Sequence, residues 1–215
     1  MVIEDGRRFR YTLCGSGLAL VVGALNQGAI PEAAKYNDQA VGTMAAGVTQ
    51  ITGIGATTTS MPASDLIDGY CWSEQEAQLG PALRIKDNIE IDQAASDTGT
   101  INLYTALPIA IDAAETISYI RNTWRNTIVS ATTITGLVAG VSVSLIAASG
   151  FGWLQTQGPC KVGTSGSPAI ISHVIAEGTA AGEITVQAAA VDTVVGKFMM
   201  WETSNENGLF WLTIE

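Results

Sequence analysis

The residues able to do chemistry in this chain are few, and their spacing argues against most reactions. One histidine, His173, is the sole side chain whose ordinary pKa suits general base catalysis near neutral pH. It lies within ISHVIAE, an alternating run that reads as a β-strand, and no Gly-x-Ser-x-Gly element accompanies it, so a structural histidine is expected. Two carboxylate pairs, Glu74 with Glu76 and Glu90 with Asp92, stand two residues apart. On a strand each pair shares a face, where mutual repulsion raises a pKa, as a glycosidase acid needs. The same spacing describes a solvated acidic face, and no dense run of aromatics surrounds either pair. Cys14, Cys71 and Cys160 are far apart and odd in number, form no Cys-x-x-Cys, and with a single histidine cannot complete a zinc site of usual spacing. They read as buried free thiols, consistent with assembly in a reducing cytoplasm. GTSGSP at 163–168 lacks the Gly-Lys-Ser/Thr ending of a phosphate loop. No catalytic, cofactor-binding or metal-binding residue is therefore assigned.

The elements around these residues read as strands and turns. GVTQITGI is a β-branched run bounded by glycines, and Asp68-Gly69 leads into YCWSE. ALRIKDNIEID alternates, and after the turn at Asp97-Thr98-Gly99 the run TINLYTAL is its expected antiparallel partner. DAAETISYIRNTW fits a strand or a short helix, with its β-branched content favouring the strand. From Thr132 onward, LVAGVSVSLIAASGFGWLQTQGPCKV holds two alternating runs around a turn at 147–150. AIISHVIAEG follows, then two closing strands around 204–208. This predicts an all-β chain with three parts: an extended N-terminal arm over 1–38, a β-rich domain over 39–130 and a small barrel or sandwich over 131–215. The arm is expected either to add a strand to another sheet or to lie across a neighbour, and removing residues 1–12 is expected to leave a folded body.

Composition narrows the partners. Of 215 residues only 14% are charged against roughly 25% in an ordinary soluble domain, and 47% are hydrophobic. Mean hydropathy is +0.27 and the sequence pI about 4.4. Net charge is −10, with the basic residues scattered except for Arg7, Arg8 and Arg10, so a phosphate backbone is not an expected partner of the folded body. Ile134–Phe151 has the length of a membrane span, but its glycines, serines and Val/Ser alternation read as strands and turns. LALVVGAL, residues 18–25, is too short to span. Arg7, Arg8, Phe9, Arg10 and Tyr11 combine arginine with aromatics, the residue types that dominate interface energetics, and form the candidate interface.

Four segments in order carry a family resemblance: EDGRRFRYTLCGSGLALVVGAL, then DLIDGYCW…ALRIKDN with INLYTAL, then GFGWLQTQGPCKV, then VVGKFMMW…GLFWLTI. Together they resemble head decoration, or cement, proteins of tailed phages. That resemblance implies a β-rich structural subunit without catalytic residues or cofactor, on the outer capsid surface of a virion and bound to the major capsid protein lattice. A homo-oligomer is expected, with a trimer favoured because capsid lattices offer local three-fold points. Two other classes remain: a carbohydrate-binding or glycan-active module using Trp72, Trp153 and Glu74/Glu76, and a tail or head-completion subunit.

Overall fold

A computed structural model describes residues 1–30, 36–55, 60–74, 80–91, 99–165, 173–175, 178–190, 192–200 and 206–215, and every regular element in them is a β-strand. The chain divides into two compact units, one made of Met1–Ile30 with Thr123–Glu215 and the other of Pro31–Asn122.

In the first unit, nine strands form one sheet: β1 (Arg8–Cys14), β2 (Leu25–Gln27), β9 (Arg125–Val129), β10 (Val138–Ser142), β11 (Phe151–Gly163), β12 (His173–Ile175), β13 (Thr185–Val186), β14 (Val194–Met200) and β15 (Asn207–Thr213). The order is β1-β9-β2-β10-β11-β15-β14-β12-β13, and β1 also pairs with β11. Five strands, β1-β9-β2-β10-β11, thus make a closed circuit of pairings, which removes the free edges an open sheet would present. β1 runs antiparallel to β11, with Tyr11 opposite Trp153 and Leu13 opposite Phe151. Two apolar clusters fill the unit. Cys14, Leu20, Ala139, Ile146 and Leu154 form one. Leu25, Val141, Cys160, Val162, Val174, Phe198, Phe210 and Leu212 are among those forming the other. β15 shows the period-2 rule plainly: Gly208, Phe210 and Leu212 are buried while Leu209 and Trp211 face out.

The second unit is a six-stranded sheet built from β3 (Gln39–Ala40), β4 (Gln50–Ile54), β5 (Tyr70–Ser73), β6 (Leu83–Asn88), β7 (Gly99–Leu103) and β8 (Thr116–Ile120), in the order β3-β8-β5-β6-β7-β4. Its core includes Ile51, Ile54, Leu66, Cys71, Ile85, Ile101, Ile117 and Tyr119. Buried Asn88 anchors the turn before β5: it accepts from the Leu66 amide at 2.9 Å and donates to the Pro62 carbonyl at 3.0 Å. The outer strands nearly meet, because the Gly42 amide donates to the Thr52 carbonyl at 2.9 Å. That approach requires glycine at position 53, where φ is +78° and a Cβ would stand 2.5 Å from the Gly42 nitrogen.

The all-β expectation holds, and β6 and β7 pair antiparallel. DAAETISYIRNTW contains strand β8. The turns expected at Asp97-Thr98 and around 204 lie outside the described residues. The extended arm over 1–38 is corrected: it does add a strand to a sheet, but that sheet is the first unit's own, where β1 pairs with both β9 and β11 and Cys14 and Leu20 belong to a core cluster. The boundary expected at 38/39 falls instead at Ile30/Pro31, and that expected near 130 falls at Asn122/Thr123. Its cause is that β2 and β9 pair antiparallel, Gln27 opposite Ile128, so the first unit is built from two separate stretches of sequence.

Two outcomes follow from these pairings. Deleting residues 1–12 removes most of β1 and abolishes cooperative unfolding of the first unit, measured by circular dichroism through a thermal ramp. Gly53→Val forces backbone apart at the β3–β4 approach and costs about 2 kcal/mol or more in urea denaturation; an unchanged midpoint would refute the close approach.

Candidate interaction surface

The expected interface residues sit on or just before β1, and the pairing with β11 decides what each presents. Arg7 is held by Asp5 at 2.7 Å, and Phe9 is buried. Arg10 makes an ion pair with Glu215 at 2.6 Å and lies over the Trp124 ring, 4.8 Å from its centroid. The Arg10 guanidinium holds the Glu215 carboxyl below the usual range. Arg8 is exposed, and so is Tyr11 at 55%. The cluster read from the sequence therefore splits: Arg7 and Arg10 are committed to carboxylates of their own chain, Phe9 is in the interior, and Arg8 and Tyr11 face out.

Tyr11 belongs to an aromatic group that crosses the β1–β11 pair. Its ring lies parallel to Phe151, with 3° between planes and 5.5 Å between centroids, and it meets Trp153 at 5.1 Å and 61°. Phe151 is 63% exposed and Trp153 39%. These rings share the outer face because Tyr11 faces Trp153 and Leu13 faces Phe151 in register. The opposite face carries Thr12, Cys14 and Leu154, all buried. Edge and offset contacts of this kind stabilise a pair by about 0.5–1.5 kcal/mol, which helps hold the rings in place without covering them.

A second exposed group is aliphatic. In LALVVGAL, Leu20, Ala24 and Leu25 are buried, whereas Leu18, Val21 and Val22 are exposed. The bridge from Leu20 to Ile146 brings Val21 beside exposed Leu145, and the Gly23 amide donates to the Ser142 carbonyl at 2.8 Å, which places exposed Val143 nearby.

The residues weighed for chemistry are dispersed. His173 is exposed on β12, opposite Lys197. Glu76 and Asp92, the second members of the two acidic pairs, lie outside the described residues. Glu74 has a different partner: the Ser118 hydroxyl donates to its carboxylate, and the same hydroxyl accepts from the Asp38 amide at 3.2 Å. A hydrogen bond with the Asp38 carboxyl is the main cause of a raised Glu74 pKa, partly opposed by Ser118. Asp38 adopts φ +53°, an uncommon backbone for a residue with a side chain. All three cysteines are free and buried, and burial pushes the Cys71 and Cys160 thiols up to about 12. A cavity of about 30 Å³, room for one water, lies against Cys71, Trp72, Leu83, Leu107 and Ile117. Among the described residues, no group of three or more His, Cys, Asp or Glu side chains is arranged to hold a metal ion, and no helix is long and apolar enough to cross a membrane.

No family model, curated protein or solved structure matches the chain. Sequence reasoning missed Phe151 and Asp38. Each gains its role from a pairing between distant segments, β1 with β11 and residue 38 with β5 and β8, and no local spacing signals either one.

Glu74 sets a pH dependence. A carboxyl whose folded pKa is raised above the unfolded value contributes stability that is fully present below the unfolded pKa, near 4.5, and is lost as pH rises through the folded one. Glu74→Gln is expected to flatten the fall in melting temperature of the second unit as pH rises above about 4.5. Parallel wild-type and variant profiles would show that the carboxyls do not interact.

Proposed function

We propose that this protein is a structural virion subunit that decorates and stabilises the outer surface of a tailed-phage capsid, binding the major capsid protein lattice as a homo-oligomer, with a trimer the fitting symmetry. The observation that carries this reading is the outward aromatic cluster Tyr11, Phe151 and Trp153. Exposed rings on a rigid sheet lose little side-chain freedom when covered, which is why such residues dominate binding energy at interfaces. The scarcity of charge supports it too, since a surface poor in Lys, Glu and Asp pays little desolvation when it meets another protein. The exposed aliphatic group around Leu18, Val21, Val22 and Leu145 extends the apolar surface available to partners. On this reading the protein acts by binding, assembles in the host cytoplasm and requires no cofactor.

The test is occupancy on particles. Wild-type protein is expected to bind undecorated capsids and to co-purify with virions, at a multiple of three copies by native mass spectrometry. Tyr11→Ser with Trp153→Ser is expected to weaken particle binding at least about 10-fold while leaving the folded spectrum unchanged. Absence of the wild-type chain from virions and from reconstituted particles would overturn the proposal, as would glycan-array binding lost in the same double variant.

A further inference from the structure

A second face of the first unit carries an unusual pairing of residue types. Across β12, β14 and β15, His173 stands opposite Lys197 and Lys197 opposite Trp211. Two residues along β15, Leu209 is opposite Met200 on one side and Lys161 of β11 on the other. All six side chains are exposed, with Trp211 at 40% and Met200 at 63%. The other face of these strands is the core formed by Val174, Val195, Phe198, Phe210 and Leu212, so the exposed face is not a frayed interior.

Its charge is the informative part. The chain has twenty carboxylates and ten lysines and arginines. Arg7, Arg10, Arg84 and Arg121 are each paired to a carboxylate. Among the described residues, neither Lys161 nor Lys197 has such a partner. Two lysines beside an exposed tryptophan call for an acidic partner with some apolar surface. This chain supplies one: Pro31–Asn122 holds twelve carboxylates and four cations, a net charge of −8, whereas the remainder has a net charge of −2. Within that acidic unit, exposed Glu90 adjoins Ile89, which is 59% exposed.

We infer that the Lys161–Lys197–Trp211 face docks the acidic unit of a second copy of this chain. The face does not pair with itself, because two copies would set lysine against lysine. The contact is therefore heterologous, head to tail, and such contacts close into a ring or run on as a filament. The inference deepens the homo-oligomer of the preceding reading by naming the surfaces through which copies meet.

Sedimentation velocity on the full chain tests it. At about 0.05 M salt wild-type protein is expected to associate, and at about 0.5 M salt, where exposed charges are screened, to dissociate. Lys161→Glu with Lys197→Glu is expected to weaken association at least about 10-fold, and Trp211→Ser to do the same, with unchanged thermal melting. The lysine variant keeps an intact acidic unit, so adding it to wild-type protein should cap the assemblies and lower their mass. A wild-type monomer at about 100 µM in low salt overturns the inference, as do assemblies indifferent to both substitutions or to the capping variant. Particle binding separates the two proposals: variants that keep their wild-type mass on a chain that decorates capsids refute this contact alone. Salt-sensitive, lysine-dependent assembly of a chain that never binds particles refutes the virion reading alone.

Discussion

The long strand Phe151–Gly163 is the constraint from which the rest of the first unit follows. It pairs with β1 over residues 151–157, with β10 at 154–155 and with β15 over 157–163. Its even-numbered residues serve both apolar clusters, Leu154 in one and Cys160 and Val162 in the other. Its odd-numbered residues include Phe151 and Trp153, the rings of the outward cluster, and Lys161 of the basic face. Because side chains alternate strictly along a strand, a one-residue slip would bury the lysine and expose the leucine. One register therefore determines both core and surface, and the buried Leu154, Cys160 and Val162 make that register costly to change.

The closed circuit β1-β9-β2-β10-β11 imposes its own demands where backbone meets backbone. At Gly140, φ is +139° and a Cβ would lie 2.8 Å from the Gln155 carbonyl oxygen. Larger residues are excluded on both counts, conformational and steric. Donors enclosed by the circuit are served locally: the Thr12 hydroxyl donates to the Trp124 carbonyl at 2.8 Å, and the buried Asn26 amide nitrogen donates to the Ala24 carbonyl at 2.8 Å. An interior of this kind tolerates polar side chains because each donor finds an acceptor within a few residues or on the adjacent strand.

What the sequence made legible was local. Period-2 alternation in LRIKDN, GTINL, FGWLQTQGPCKVG and NGLFWLT marks strands that exist, because alternation reflects one buried and one open face. Long-range pairing carries no such mark. RFRYTLC reads as an arm because nothing near it could bury Phe9 or Cys14; its partner lies about 140 residues away, and loop closure over that distance adds only a slowly growing entropy cost. The insertion of Pro31–Asn122 was hidden for the same reason, since β2 is three residues long and its partner β9 follows only after the whole of that segment in the sequence. The candidate interface was half legible. Arginine and aromatics do gather near Tyr11, but Asp5 and Glu215 occupy Arg7 and Arg10, while Phe151 and Trp153 join Tyr11 from β11.

The distribution of charge ties these observations together. In a chain with so few cations, those paired within their own unit do structural work. Arg121 with Asp65 is mostly buried and stacks against Tyr36 at 5.4 Å, and Arg10 with Glu215 joins the first strand to the last residue. Exposed ion pairs on a protein surface contribute little, about 0–1 kcal/mol each, so an unpaired surface lysine costs the fold almost nothing. Folding alone thus gives no reason for Lys161 and Lys197 to flank Trp211 on one face of a sheet. Nor does it account for Tyr11, Phe151 and Trp153, which leave apolar area in water that burial would stabilise at roughly 25 cal/mol per Å². On the proposed reading, these two exposed faces, which contribute so little to the stability of the isolated chain, have their energetic value in contact with a partner.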